Sequence, residues 1–188
     1  TSAQTSNNID GAGSFLGVVT TANAAGVTFS EELGKTNGID KLVIDGIANP
    51  LATVSVDGNK VGEIDMDTDA TLRLAKTITN GQTVFTTTTD MEDTDIATGS
   101  KIYMPVNLAA GQTLKLFETV TQDAAFTTAL NLALQDNALI DFTAAITGGD
   151  DYTVTATAKS EAATASSLGV DTNTARSLLS AYASVIND

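Results

Sequence analysis

Apolar and polar residues alternate over short stretches along most of this chain. A period of two places every second side chain on the same face of a β-strand, so each stretch predicts a short strand with one buried face. The stretches with this period are 54–57, 64–67, 71–74, 102–108, 114–116, 130–134 and 152–158. Pro105 has no amide hydrogen, so its strand is expected to lie at an edge or to carry a bulge.

A short phrase recurs directly before two of these strands. Residues 80–84 read Asn-Gly-Gln-Thr-Val, residues 110–114 read Ala-Gly-Gln-Thr-Leu, and residues 69–74 are a looser copy. Each phrase places a tight turn before a strand with one apolar side. Recurring turn-and-strand units are typical of solenoids, in which no single unit can bury its own apolar face. The pattern predicts an all-β fold, a parallel β-solenoid (β-helix), with a β-sandwich of the same strands as the alternative.

The pattern becomes helical after Lys159. Ser160 is a suitable N-cap for a short helix, and Gly169 is a suitable C-terminal stop. A second helix is expected to begin at Asp171 or Asn173. Its apolar residues fall on one stripe that is expected to pack on the last coil of the solenoid. The stripe consists of Ala175, Leu178, Leu179, Tyr182, Val185 and Ile186.

These patterns divide the chain into three parts. Residues 1–12 are predicted to be an irregular N-terminal segment, residues 13–158 a β-solenoid, and residues 159–188 a helical C-terminal cap. The chain opens with Thr-Ser-Ala-Gln and shows no charged and apolar signal-peptide pattern. We therefore expect a mature or processed piece, or a segment of a longer polypeptide.

Charge and composition exclude several classes of function. The net charge of -14 argues against binding to nucleic acids and to anionic lipid surfaces, because both need clusters of Lys and Arg. The chain has no Cys, which excludes disulfides and thiolate sites, and no His, which removes the usual general base. No Gly-x-Ser-x-Gly or Ser-x-x-Lys phrase occurs. No apolar run reaches the ~18 residues of a membrane-spanning helix. We expect neither an enzyme nor a membrane-spanning protein, and a hydrolase that uses two paired carboxylates is the enzymatic alternative.

Acidic clusters are the candidate binding residues. Calcium prefers several oxygen ligands, which such clusters could supply. Residues two apart on a strand lie ~7 Å apart, however, and the chain has neither an EF-hand loop nor a glycine-rich calcium repeat. A solvated acidic face is therefore the alternative to a calcium site. The candidate calcium ligands are Asp65, Asp67, Asp69, Asp90, Glu92, Asp93 and Asp95.

The order of features in residues 39–188 resembles a known family. The segments that carry the resemblance are 110–116, 137–142, 151–156 and the break at 168–173 between two helical stretches. This order resembles the C-terminal passenger region of type V autotransporters, including large surface-layer-like antigens. The resemblance implies a right-handed parallel β-helix and an extracellular chain delivered through an outer-membrane β-barrel of its own. This sequence would then be the exported part only.

Together these features predict an extracellular structural or adhesive protein of a bacterial cell surface. It would be a stalk, a surface-layer component or a self-assembling fibre component. Self-association through strand edges or through two open solenoid ends is expected, and a host or cell-surface ligand is a further partner. The alternative is an extracellular module that binds calcium or a glycan, although the absence of Trp weakens the case for carbohydrate stacking.

Overall fold

The computed structural model describes residues 4–6, 9–23, 25–45, 51–121 and 123–186. The helices are α1 (Ala124–Ala133), α2 (Glu161–Leu168) and α3 (Thr172–Ile186), and a 3₁₀ turn covers Asp93–Asp95. The strands are β1 (Gln4–Ser6), β2 (Val18–Thr21), β3 (Val27–Phe29), β4 (Ile39–Ile44), β5 (Leu51–Val54), β6 (Asn59–Met66), β7 (Thr71–Leu74), β8 (Thr83–Thr86), β9 (Lys101–Tyr103), β10 (Thr113–Glu118), β11 (Leu134–Gln135), β12 (Ile140–Thr147) and β13 (Asp151–Ala158).

Successive strands alternate between two sheets. The first sheet has the order β1-β3-β5-β7-β9-β11, and the second has the order β12-β13-β10-β8-β6-β4-β2. Each coil of the chain therefore adds one strand to each sheet. All neighbours pair in parallel except β13, which runs antiparallel to β10 and to β12. Leu51 pairs with Thr71, and Ile102 pairs with Leu134, so a coil takes between 20 and 32 residues. The predicted parallel β-solenoid is confirmed.

Apolar side chains stack from coil to coil inside the solenoid. Ala52, Leu72, Ile102 and Leu134 occupy one register column of the first sheet, and all four are buried. A fully buried Leu or Ile stabilises the fold by ~1.5–3 kcal/mol relative to an exposed one. At the C-terminal end the core becomes aromatic. There, neighbouring rings lie 4.8 to 5.7 Å apart in the series Phe85, Phe117, Phe126 and Tyr152.

The repeated phrase forms the same turn in neighbouring coils. Gly81 and Gly111 adopt left-handed φ angles of 79° and 84°, which glycine reaches without steric cost. In each copy the following glutamine accepts a hydrogen bond from the amide three residues before it, at 2.5 Å for Gln82 and 2.8 Å for Gln112. In the looser copy Asp69 has a left-handed φ of 61° two residues before its strand, as the two glycines do. The phrase is therefore a turn signal, as predicted.

A buried asparagine ties three coils together at one corner. The side chain of Asn59 is 0% exposed, and its Oδ1 accepts a hydrogen bond from the Leu33 amide at 2.8 Å. Its Nδ2 donates to the carbonyls of Val56 at 2.8 Å and Val84 at 3.0 Å. These backbone groups are buried at the corner and need a partner there. Asn59 therefore replaces strand pairing where the chain changes sheets.

The two C-terminal helices lie where the sequence predicts them, but only part of the apolar stripe packs inward. Ser160 accepts a hydrogen bond from the Ala163 amide, and Gly169 ends α2 in a left-handed conformation with φ 67°. The carboxylate of Asp171 accepts from the Asn173 amide and so caps α3. Within the predicted stripe, Ala175 is buried and Tyr182 packs on the core, whereas Leu178 is 41% exposed. The side chains of residues 185 and 186 lie outside the described part of the chain.

Four predictions of extended or irregular structure were wrong. The strand predicted over 54–57 instead covers 51–54, so residues 55–57 lie in the connection to β6. Residues 130–133 belong to α1, because Asp123 caps that helix and Phe126 and Leu130 turn inward at helical spacing, while Leu132 is 79% exposed. The strand predicted over 102–108 ends at Tyr103, before Pro105. The segment predicted to be irregular contains β1 at 4–6, so pairing begins earlier; residues 1–3, 7 and 8 lie outside the described part.

Replacement of Asn59 by Ala is expected to lower the free energy of unfolding by about 3 kcal/mol, because it leaves two carbonyls and one amide without partners in the core. Asn80→Ala is the matched control, since exposed Asn80 accepts one hydrogen bond, from the Thr113 amide at 2.9 Å, and should cost under ~1 kcal/mol. Urea unfolding measures both. Equal losses of unfolding free energy in the two variants would show that the three hydrogen bonds of Asn59 stabilise the fold no more than the single one of Asn80.

Candidate functional site

Two long connections of successive coils meet at one side of the solenoid. Residues 87–100 join β8 to β9, and residues 119–133 join β10 to β11 and contain α1. The 3₁₀ turn of the first connection packs against α1 of the second. Between them lies a cleft of about 690 Å³, with residues 96–100 on one wall and Ala125, Ala129 and Leu132 of α1 on the other. We call this the helix cleft.

The first connection is held on the edge of β6. Strand β8 pairs with β6 only through Asn59 and Lys60, so the rest of that edge needs other partners. The Gly62 carbonyl accepts hydrogen bonds from the amides of Thr88 and Thr89, at 3.2 and 3.1 Å. Further along, Ile96 forms a parallel bridge with Met66. The connection therefore completes the sheet and places its acidic residues beside β6.

A lysine and three carboxylates gather beside this edge. Lys41 of β4 lies opposite Glu63 of β6 in the register, and its Nζ is 2.6 Å from a Glu63 oxygen and 3.0 Å from an Asp65 oxygen. The hydrogen bond to Glu63 is the main reason why the pKa of Lys41 is raised well above its usual range. Lys41 is therefore charged at physiological pH and holds both carboxylates on the outer face of the sheet.

Asp95 is the buried carboxylate of this group. Its side chain accepts a hydrogen bond from the Glu92 amide at 2.7 Å. Burial raises the pKa of Asp95 to about 6; the negative charges of Glu63 and Asp65 act in the same direction, while the Glu92 hydrogen bond and Lys41 oppose it. The raised pKa of Asp95 has two explanations: the carboxylate is a functional group, or it is a structural cap of the 3₁₀ turn. The hydrogen bond that it accepts from the Glu92 amide fits the structural cap.

The structure separates most of the candidate calcium ligands. Asp65 and Asp95 come into the Lys41 group, whereas Asp67 and Asp69 lie in the turn after β6. The remaining candidates are exposed along the first connection, and they are Asp90, Glu92 and Asp93. Within the described part of the chain, no three acidic side chains converge as metal ligands. Calcium binding stays a prediction.

A second cleft opens on the outer face of the first sheet. It has a volume of about 380 Å³ and is lined by Arg73 of β7, Tyr103 of β9 and Gln135 of β11. The guanidinium of Arg73 lies over the Tyr103 ring, 5.4 Å from its centroid. We call this the arginine cleft. Gln135 lines both clefts, so they adjoin each other.

Sequence reasoning did not find either cleft. Arg73, Tyr103 and Gln135 share one register column, but they are 30 and 32 residues apart in the chain. The signal that could have found them is the alignment of the apolar residues Leu72, Ile102 and Leu134, which precede the three polar ones in neighbouring coils. The partnership of Lys41 with Glu63 follows in the same way from the pairing of Leu42 with Ile64.

Comparison with known proteins adds no relative. No protein-family model matches the chain, and neither the curated proteins nor the solved structures contain a significant match. The autotransporter resemblance therefore stays a prediction. In the part of the chain that the structure describes, no helix is both long and apolar enough to span a membrane.

Asp95→Asn is expected to stabilise the protein at pH 7.5 by about 2 kcal/mol. The pKa of Asp95 is raised in the folded state, so wild-type stability falls as the pH rises from the unfolded value near 4 through about 6. Asn keeps an oxygen that accepts from the Glu92 amide and carries no charge, so the gain should be nearly complete above about pH 7 and should vanish as the pH falls below about 4.

The control for this prediction is Asp93→Asn, which removes a charge from an exposed residue of the same turn and should change stability by less than ~0.5 kcal/mol. Thermal unfolding between pH 3.5 and 8 measures all three proteins. A gain for Asp95→Asn that persists at pH 3.5 would show that its charge is not the cause.

Proposed function

We propose that this chain is an end unit of a structural β-solenoid at a bacterial cell surface. One end of its solenoid stops the stacking of coils, and the other accepts a further coil. The observation that supports this proposal is the difference between the strand edges at the two ends. The extracellular location rests on the acidic, Cys-free composition and on the autotransporter resemblance. Catalysis forms no part of the proposal.

The C-terminal end of the second sheet is closed by side chains. Strand β12 is the last strand of that sheet, so its outer edge would otherwise present free amides and carbonyls. The Asn131 side chain accepts from the Ala144 amide at 2.8 Å and donates to the Ala144 carbonyl at 2.9 Å. Asp136 accepts from the Phe142 amide at 2.8 Å. These side chains occupy the positions that another strand would need.

Helices complete the cover at this end. Phe126 of α1 is fully buried and meets both Phe117 and Tyr152 edge-on, so α1 closes the aromatic end of the core. Tyr182 of α3 donates a hydrogen bond to the Leu108 carbonyl at 3.3 Å, which holds the helical C-terminus on the side of the solenoid. Addition of a coil here would require the displacement of α1.

The N-terminal end is open. Strand β1 pairs only with β3, and β2 pairs only with β4, so each presents one unpaired edge within the part of the chain that the structure describes. Val18 pairs with Lys41 and so lies on the outer face of the second sheet beside this edge. The free edges belong to parallel strands, and a further coil could add one strand to each sheet in the same register as β1 and β2.

This difference narrows the expected mode of self-association. Stacking of copies from end to end needs a free strand edge at both ends of every copy. The sequence predicted two open ends, whereas at the C-terminal end side chains occupy the β12 edge of the second sheet. A long fibre of identical subunits is therefore disfavoured, whereas a unit that ends a stalk is favoured.

Electron microscopy and light scattering of the purified chain should show single particles or pairs at every concentration, and no filaments. The closed edge of β12 is the reason. The same result is expected with calcium and with a chelator. Filaments in both conditions would contradict the closed end, and filaments only with calcium would favour the alternative of a calcium module.

An added coil should stabilise the N-terminal end and not the C-terminal one. Residues 51–70 form one coil, since Leu51 pairs with Thr71 of the next coil. A second copy of them placed before Gln4 is expected to raise the melting temperature by several degrees, because each new interface between coils adds its own stabilisation. The matched control carries the same coil after Ile186 and should melt like the wild type. Equal melting temperatures for the two chimeras would contradict the proposal.

A further inference from the structure

Two cations on the outer face of the first sheet have no acidic partner. Acidic residues outnumber basic ones in this chain by 23 to 9, yet four basic residues form no ion pair within the described part of the chain, and they are Lys60, Arg73, Lys76 and Lys101. Arg73 and Lys101 are both exposed, and neither forms an ion pair within the part of the chain that the structure describes. The basic residues that do pair with carboxylates are Lys35, Lys41, Lys115, Lys159 and Arg176.

The two cations lie on adjacent strands and point to the same face. Arg73 pairs with Tyr103, and Lys101 pairs with Thr71, so their Cα atoms lie diagonally across β7 and β9. A strand spacing of ~4.8 Å and a rise of ~3.3 Å per residue separate these atoms by about 8 Å. The Tyr103 ring holds the guanidinium of Arg73 in place, which leaves its N–H donors prepared for a carboxylate.

Uncharged polar groups also line the two clefts. Gln135 lies between the arginine cleft and the helix cleft, and its Nε2 donates to the Ala133 carbonyl at 2.9 Å. Its Oε1 accepts no hydrogen bond from the described part of the chain and is available to a ligand. The Oδ1 of Asn137 accepts hydrogen bonds from the Leu139 and Ile140 amides, which leaves its Nδ2 available to donate to a ligand. The Tyr103 hydroxyl adds a donor and acceptor. Such alternating groups suit the hydroxyls of a sugar.

The volumes and the apolar wall also fit a small ligand. The arginine cleft measures about 380 Å³ and the helix cleft about 690 Å³, both within the ~300–1,000 Å³ of small-molecule sites. Val106, at the rim of the arginine cleft, is 78% exposed and offers an apolar contact for the C–H face of a sugar ring.

Opposing charges limit the length of the ligand. Asp136 lines the arginine cleft and Asp93 lines the helix cleft, and the whole chain carries a net charge of -14. A long polyanion would be repelled by this field, whereas a short ligand with one or a few carboxylates interacts mainly with charges within the Debye length of ~8 Å at physiological salt. The Oδ1 of Asp136 accepts a hydrogen bond from the Phe142 amide, so this oxygen is already occupied within the protein.

We infer that the two clefts form a binding site for a short oligosaccharide that carries a carboxylate. Arg73 binds the carboxylate through paired hydrogen bonds, and Lys101 adds positive charge. The hydroxyls of the sugar bind Gln135, Asn137 and the Tyr103 hydroxyl. This site does not depend on the proposed addition of coils, because it lies on the outer face of the first sheet and away from the β1 and β2 edges.

Calorimetry on the full chain in 150 mM salt tests the inference with trigalacturonate and sialyllactose as probes. Maltotriose is the neutral control, and triglutamate is the acidic peptide control. At least one carboxylated sugar should bind ten times more tightly than either control. Arg73→Gln should weaken that binding at least tenfold, whereas Lys76→Gln removes the same charge from an exposed residue outside both clefts and should leave it unchanged.

Asp136→Asn gives an independent gain-of-affinity test. It keeps an oxygen that accepts from the Phe142 amide and removes the charge that opposes the ligand, so binding should tighten several-fold. The inference is overturned if neither carboxylated sugar binds, if maltotriose or triglutamate binds as tightly, or if Lys76→Gln weakens binding as much as Arg73→Gln. Unchanged melting temperatures of the variants exclude a folding defect, and none of these results bears on the open solenoid end.

Discussion

The structure depends on the in-register stacking of parallel strands, because no coil of this chain can bury its own interior. A column such as Ala52, Leu72, Ile102 and Leu134 is buried only when each coil covers the next. The same register sets the outer face, since alternate residues point outward. A one-residue slip between coils would expose the apolar columns and separate Arg73 from Tyr103 and Lys41 from Glu63 at the same time.

Stacking also decides where the chain can vary. The corners repeat, with a left-handed residue at Asp69, Gly81, Gly99 and Gly111, each two residues before a strand. The lengths between corners do not repeat, and the longer connections of neighbouring coils come to lie side by side. Residues 87–100 and α1 therefore meet without any sequence feature that pairs them. The helix cleft is a consequence of two insertions in successive coils at one position of the solenoid.

Local patterns predicted the parts of the fold that depend on local interactions. The turn at Gly81, the cap at Ser160 and the strand at 151–158 follow from spacing within a few residues. Leu130 and Leu132 show the limit, because two leucines at alternate positions fit a strand as well as a helix until the Asp123 cap is considered. The clefts depend on pairing between residues that are 30 or more positions apart in the chain. Because the coils differ in length, no fixed spacing in the sequence predicts which residues pair.

Stacking has no natural end, so a protein built from it needs a device that stops it. Here polar side chains stop it: Asn131 and Asp136 form hydrogen bonds with the β12 edge. Strand β13 runs antiparallel to β10 and to β12 and so interrupts the parallel stacking beside that edge. An amide that pairs with both the N–H and the C=O of Ala144 does what a neighbouring strand would do, without offering an edge of its own. The edges of β1 and β2 have no such partner among the described residues. An unpaired parallel edge favours strand addition, so the difference between these edges and the β12 edge is the physical basis of the proposal that coils add at the N-terminal end.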